Sequence, residues 1–227
     1  MSNEIDALKE FYKDNILKYK ALGKRIMASS SFQTHSIPML VILNEIDPSI
    51  PIYFLDTGFH FAETIKYKNQ ISQWLGLNVI DLTSPIPKSQ QLNFDGHLMF
   101  TQHPDHCCHM NKTLPMDPIL AGFDVWITGV RRDQNENRRN MNYEAKGKYG
   151  ITRFHPMLDW TQELIDHFIE IYKIPAHPLE QKGYYSIGCE PCTQKPNGMS
   201  ILSDRNGRWA GMKKTECGLH TELVENQ

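Results

Sequence analysis

Short apolar runs alternate with longer amphipathic stretches along this chain, and few architectures accommodate that order. "RIMASSSFQTHSIPMLVILNEI" passes from an apolar segment through a serine cluster into a second apolar segment, the succession strand, polar turn, helix. "SIPIYFLDTG" reads as a second strand and "FHFAETIKYKNQISQWLG" as a helix closed by Gly76; "LNVIDLT" is a third strand. A helix around 104–122 leads to "DVWITGV", a fourth strand, then to "GITRFHPML", a fifth, and to a helix over "WTQELIDHFIEIYKI". An N-terminal helix over 4–22, ended by Gly23, precedes all of these. Strands alternating with helices predict an α/β fold with a parallel sheet covered on both faces, whose ligands bind at the carboxyl ends of the strands. The polar segments after strands 1, 2 and 4 are therefore the first places to look for a site.

From about residue 175 the periodicity fades into Pro, Gly and Tyr. The expected division is a nucleotide-binding α/β domain with its N-terminal helix over 1–174 and an irregular segment over 175–227 draped on the same unit. The formal charge of −2 over 227 residues gives no global attraction to nucleic acid or to an anionic membrane, so any anion site must be local. "MSNEIDALKEFYKDN" lacks the apolar core of a signal peptide, and runs such as "IPMLVIL" are too short to span a bilayer. A cytoplasmic protein is expected. In that reducing compartment five cysteines read more readily as metal ligands or catalytic thiols than as disulfide partners.

Four of the five form two pairs, Cys107 with Cys108 in "HCCHMNK" and Cys189 with Cys192 in "GCEPCT". Four thiolates can close a tetrahedral zinc site or hold an iron–sulfur cluster; unliganded buried thiols are the remaining alternative. Adjacent cysteines favour the cluster, because neighbouring side chains diverge and a cubane offers separate corners. His103, His106 and His109 flank the first pair and could substitute as zinc ligands, although surface histidines on a helix are the simpler reading. Lys112 lies one turn beyond Cys108, where it either faces water or sets a positive charge between the cluster and an anionic substrate.

"SSSFQ", residues 29–33, joins a strand to a helix, where hydroxyls and free backbone N–H groups either bind phosphate or cap the helix. "LDTGF" offers Asp56 and Thr57 to a nucleoside, with a tight turn at Gly58 as the alternative. "GVRRDQNENRR" carries Arg131, Arg132, Arg138 and Arg139 after strand 4, and "DRNGRW" carries Arg205 and Arg208. Each set could grip phosphate or sulfate, or face water. The fifth cysteine, Cys217, sits in the polar tail "KKTECGLH" with His220 three residues on. A thiol there reads as a nucleophile delivered to a bound electrophile, with Lys112, Arg205, Arg208 and His220 favouring its thiolate.

Taken in order, "SSSF", "LDTG", "CCHMNK", "WITGVRRDQ", "GCEPCT" and "KTECGLH" resemble the sulfonucleotide reductases, the adenylylsulfate and phosphoadenylylsulfate reductases of sulfate assimilation and cysteine biosynthesis. The likeness runs over roughly residues 24–221. It implies an adenine nucleotide alpha-hydrolase (Rossmann-like) fold and thioredoxin-dependent reduction of an activated sulfate to sulfite. It further implies that Cys217 attacks the sulfur and becomes S-sulfocysteine, and that Cys107, Cys108, Cys189 and Cys192 hold a 4Fe-4S cluster. On the same likeness Lys112, Arg205, Arg208 and His220 surround the phosphosulfate. Ser29, Ser31 and Phe32 fall on the phosphate-binding loop, with Arg131 as a further substrate contact beside the Asp56 read from "LDTGF". Four cluster cysteines favour adenosine 5'-phosphosulfate over its 3'-phosphorylated form, which is the alternative substrate. A homo-oligomer is expected, with no nucleic-acid or membrane partner. An adenylating ATP pyrophosphatase would need a glycine-rich loop that "SSSFQTHS" lacks, and a zinc-stabilised nucleotide-binding redox sensor is the non-enzymatic rival.

Overall fold

The N-terminal periodicity folds as α1 (Ser2–Ala21), which turns Ile5, Tyr12, Ile16 and Tyr19 inward from one face. Gly23 follows with φ 67°, and its N–H donates to the Lys20 carbonyl, a left-handed stop that glycine adopts without a Cβ penalty. The computed structural model describes residues 2–195 and, beyond them, 207–209, 214, 218–220 and 222–223. Among the described residues no helix is long and apolar enough to cross a membrane.

The alternating units form one sheet of β1 (Ile26–Ser29), β2 (Ile52–Asp56), β3 (Val79–Thr83), β4 (Val125–Thr128), β5 (Glu144–Lys146) and β6 (Thr152–Phe154). Their spatial order is β3-β2-β1-β4-β6-β5, parallel except for β5 against β6. Between them run α2 (Ile37–Ile46), α3 (Ala62–Leu75) and a helical rod made of α4 (Pro104–Cys108), a π turn (His109–Thr113) and α5 (Leu114–Leu120). α6 (Glu136–Arg139) precedes β5, and α7 (Gln162–Tyr172) follows β6 with the Thr161 hydroxyl accepting from the Leu164 N–H. The parallel α/β architecture expected from the alternation is therefore present. Its antiparallel edge β5 falls in a polar stretch outside the five expected strands; it is held by the Tyr19 hydroxyl, which donates to Glu144 Oε1 at 2.6 Å.

Period-two alternation divides the strands between two cores. Ile26 and Ala28, Ile52 and Phe54, and Val125 and Ile127 face the layer of α1, α2, α3 and α7. Met27, Tyr53 and Trp126 face the opposite layer, with Met116 and Leu120 of α5 and with Leu223. α2 is buried on consecutive positions from Ile37 to Leu43, as a helix lying between the sheet and two other helices must be. The chain leaves β1 towards β2 and β3, then returns to place β4 on the other side of β1. The carboxyl ends of β1 and β4 thus flank a topological switch point, the place where such sheets leave a crevice.

Candidate active site

The crevice at the switch point is a cavity of about 190 Å³, floored by the segments that follow β1 and β4. Ser29, Ser30 and Ser31 border it on one side, and Thr128, Gly129 and Val130 on the other. The serine loop contains no glycine yet turns sharply, because Phe32 takes φ 52°. A non-glycine residue in that region costs roughly 1–2 kcal/mol. Burial of the Phe32 ring, fully inside the core and edge-on to Phe54 at 5.8 Å, returns about 1.5–3 kcal/mol and holds the turn. The Ser30 hydroxyl accepts from the Phe32 N–H at 3.1 Å, and the Ser36 hydroxyl donates to the Gln33 carbonyl at 2.7 Å. Gln33 Oε1 accepts from the Ile187 N–H at 2.9 Å, tying this loop to the C-terminal segment.

Phe32, Asp56 and Arg131, expected among the substrate contacts, all lie off the lining of the cavity. Phe32 is a core ring that shapes the loop from behind. Asp56 Oδ1 accepts from the Gly58 N–H at 3.0 Å, a turn-capping role, and does not border the cavity. Arg131 is 1% exposed and committed to Asp133 through Nε at 2.9 Å and Nη2 at 3.1 Å, and to Gln162 Oε1 at 2.8 Å. Of the four arginines in that loop, Arg138 is the one that borders the cavity, and it also donates to Gln134. Its signal was present in the arginine-rich loop, but only the packing of α6 decides which of the four points inward.

A second, much tighter cavity adjoins the first and is ringed by Cys107, Cys108, Cys189 and Cys192 with Phe59, Phe100 and Trp209. The four thiols are all buried, although they come from helical and loop segments about 80 residues apart. The π turn sets the first pair. Pro115 cannot donate to the Asn111 carbonyl and its ring would crowd that oxygen, so the helix widens and the Leu114 N–H reaches five residues back to His109. The second pair is set by the short turn Glu190–Cys192 and by the Glu190 N–H, which donates to the Phe59 carbonyl at 2.7 Å.

Burial, reinforced by the neighbouring thiols, pushes Cys107 and Cys192 up to about 11. Burial acts on Cys189 in the same direction, but Lys112, the Thr57 hydroxyl at 3.3 Å, Arg208 and Lys88 outweigh it and lower its pKa. Only thiolates would repel one another here, so the thiols stay protonated unless a shared cationic or iron-bearing group takes up their charge; four soft sulfur donors around one small chamber are a set that fits a thiolate-ligated centre. Among the described residues no three of His, Cys, Asp and Glu converge closely enough to hold one metal ion. His103, His106 and His109 are exposed, and His109 pairs with Glu222 at 2.6 Å.

The two cavities share Lys112, Cys189, Arg208 and Trp209 as a common wall. Arg208 reaches it across Gly188, where a Cβ would come within 2.1 Å of Nη1. Cys217 and Arg205 lie outside the described residues, and of His220 only the backbone is described. The short turn Gly218–His220 lies on the π turn, Gly218 is buried, and Leu219 borders the larger cavity. Lys88 follows β3, apart from the polar segments after strands 1, 2 and 4 to which the sequence points.

Residues 25–195 match the family described as phosphoadenosine phosphosulfate reductase domain. An adenosine 5'-phosphosulfate reductase of Rhodococcus opacus is 38% identical over 177 residues, which are 78% of this chain and 71% of that protein. One of Halalkalibacterium halodurans is 33% identical over 204 residues, 89% of this chain and 87% of that protein. Among solved structures, the phosphoadenylyl-sulfate (PAPS) reductase of Candida auris in its phosphate complex covers 84% of this chain and 96% of its own, with a TM-score of 0.66 at 16% identity. Candida glabrata FMN adenylyltransferase in complex with FMN and an ATP analogue covers 97% and 76%, with a TM-score of 0.60 at 14% identity. At those identities the two structures speak for the fold alone.

Proposed function

This chain belongs to the phosphoadenosine phosphosulfate reductase domain family, and we propose that it reduces adenosine 5'-phosphosulfate to sulfite and AMP with Cys217 as nucleophile. The names of the curated relatives support the substrate. One observation carries the reading: a cavity at the switch point, bordered by the serine loop, shares a cationic wall, Lys112 and Arg208, with a chamber of four thiols. The sulfate of such a nucleotide is already an activated anhydride. The protein's task is to bring a thiolate onto an oxyanion, and fixed positive charge lowers that barrier most.

In the first step the Cys217 thiolate forms an Sγ–S bond to the sulfonyl sulfur while the bridging S–O bond breaks, its electron pair leaving on the phosphate oxygen of AMP. Lys112, Arg138 and Arg208 offset the negative charge on the phosphosulfate, and the serine loop donates hydroxyl hydrogens to the nucleotide. In the second step a dithiol reductant of the thioredoxin class attacks Cys217 Sγ. Sulfite leaves with the bonding pair, and the reductant's second thiol resolves the mixed disulfide, so that two electrons pass from dithiol to sulfur. Cys107, Cys108, Cys189 and Cys192 would hold a 4Fe-4S cluster, whose ligands occupy separate irons and need not meet at one point. When bound, it supplies fixed negative charge that orients Lys112 and Arg208, while the electrons come from the dithiol.

The test is sulfite release by anaerobically purified protein with thioredoxin, offered 5'-phosphosulfate and its 3'-phosphorylated form in parallel, with iron and zinc measured on the same sample. Sulfite chiefly from the first, with about four irons per chain, is expected. Sulfite chiefly from the second overturns the substrate, and none from either on iron-loaded protein overturns the activity.

A further inference from the structure

Lys88 is a cation with no assigned task. It sits beyond the end of β3, outside the walls of both cavities, and among the described residues no carboxylate bonds to it. Its ammonium instead donates to the Thr57 carbonyl and to Asn111 Oδ1 at 2.6 Å, and lies 3.8 Å from the centre of the Phe59 ring. Its stem passes over Gly58 so closely that a Cβ there would stand 2.9 Å from Cε. Three acceptors for three N–H bonds fix this group in one orientation, an expensive use of a lysine on a connecting loop.

Asn111 gives the arrangement a direction. Its side chain is 1% exposed and belongs to the π turn beside the cysteine pair. Oδ1 accepts from Lys88 and from Gln91 Nε2 at 3.1 Å, while one Nδ2–H donates to Gln91 Oε1 at 2.7 Å and the other is shared between the Cys107 carbonyl at 2.9 Å and Cys107 Sγ at 3.6 Å. Gln91 is itself 1% exposed and donates to the Ile86 carbonyl at 2.8 Å, so the amide cannot flip without breaking the set. A cation on an amide oxygen draws charge from the nitrogen and strengthens what its N–H bonds donate.

We propose that Lys88, acting through the Asn111 amide, delivers a charge-strengthened N–H···S hydrogen bond to Cys107 and is a positioning residue for the thiolate-bound centre. This rests on the reading that the four thiols hold an iron–sulfur cluster. Hydrogen bonds to ligand sulfur set both how firmly such a centre is kept and its reduction potential, because they stabilise the more negative state. Lys112 and Arg208 face the substrate side of the thiol chamber, whereas the Lys88 relay supports it from behind the π turn.

The experiment compares wild type, Lys88→Met, Lys88→Arg and Asn111→Leu, purified anaerobically. Readouts are iron and acid-labile sulfide per chain, the rate of bleaching by an iron chelator, the midpoint potential, and the thermal transition after the iron has been removed. Lys88→Met is expected to lose iron about ten- to a hundredfold faster, with a more negative potential and an unchanged iron-free thermal transition. Asn111→Leu should match it in iron loss and potential but, by stranding Gln91, also lower the iron-free transition, and Lys88→Arg should recover most of the retention. Wild-type protein without iron and sulfide would overturn the cluster reading itself. Iron-loaded wild type with a Lys88→Met variant of equal retention and potential would overturn the relay alone, as would a loss traced wholly to a lower iron-free transition.

Discussion

The two adjoining cavities are built on opposite terms. The larger one combines serine and threonine side chains and Arg138 from loops at strand ends with the apolar side chains of Met39, Phe54 and Leu55, and it keeps about 190 Å³ open. The thiol chamber is lined by aromatic rings and by a helix that widens into a π turn just beyond its cysteine pair. Room for a whole ligand suits a molecule that enters and leaves, whereas a small chamber ringed by soft donors suits a resident group. Their shared wall is where the two requirements meet, so changes on either side of it should separate exchange from residence.

The largest effect is expected from the tail. Cys217→Ser should abolish sulfite formation while leaving AMP binding and iron content as in wild type, measured by equilibrium binding and metal analysis on the same preparation. Sulfite at the wild-type rate would remove Cys217 from the chemistry.

Next comes the resident side. Cys192→Ser should reduce iron from about four per chain to a small fraction and weaken nucleotide binding only through the shared wall. Full iron retention would show that the chamber is not the metal site. Gly188→Ala is a gentler probe of the wall alone, since the new methyl collides with the Arg208 guanidinium and must displace it. Iron should stay and the KM for sulfonucleotide should rise.

The arginine loop sharpens the exchange side. Arg138→Leu should raise KM about ten- to a hundredfold, the worth of one hydrogen bond to a charged group, an effect that its lost bond to Gln134 would not by itself produce. Arg131→Leu should act on stability instead. It strands Asp133 and Gln162, costing about 1–3 kcal/mol after allowing for the partly exposed carboxylate, which lowers the transition by several degrees with KM unchanged. Equal KM effects from the two would reverse their assignment.

That pair also shows how far sequence reaches. The β-strand alternation and the two cysteine pairs were legible because their signals are local: a period of two, a period near four, a spacing of two residues. β5 was not, because "EAK" is three residues of polar edge whose pairing depends on β6 and on Tyr19 from the far end of the chain. The π turn carries no periodicity of its own, and Pro115 with Pro118 is its one trace in a segment that reads as plain helix. Arg131 and Arg138 are indistinguishable as residue types. Their roles were separated only by the approach of Gln162 from α7 and the turn of α6.

The smallest effect is one of pH, and it too falls on the exchange side. His177 supports the serine loop: its backbone N–H donates to the Thr34 hydroxyl at 2.8 Å, and its ring reaches Thr64 through Nε2 at 3.1 Å. Nδ1 accepts from the Leu179 N–H at 3.2 Å, so a proton there would face a donor. Burial lowers this histidine to about 4, and lowers His155, bonded to the Thr128 hydroxyl at the end of β4, to about 3 with help from Arg153 and Arg138. The folded state then binds fewer protons than the unfolded chain, whose histidines titrate near 6.5. Stability is full above that value and declines as pH falls from about 6.5 towards about 4. Each buried histidine should contribute a slope of about 1 kcal/mol per pH unit in that window. Denaturant unfolding of iron-free protein across the range should show it, and His177→Gln, which keeps one donor and one acceptor, should remove about half. A slope unchanged in that variant would mean that the acid sensitivity lies elsewhere, and that the loop after β1 is no more exposed to pH than the thiol chamber beside it.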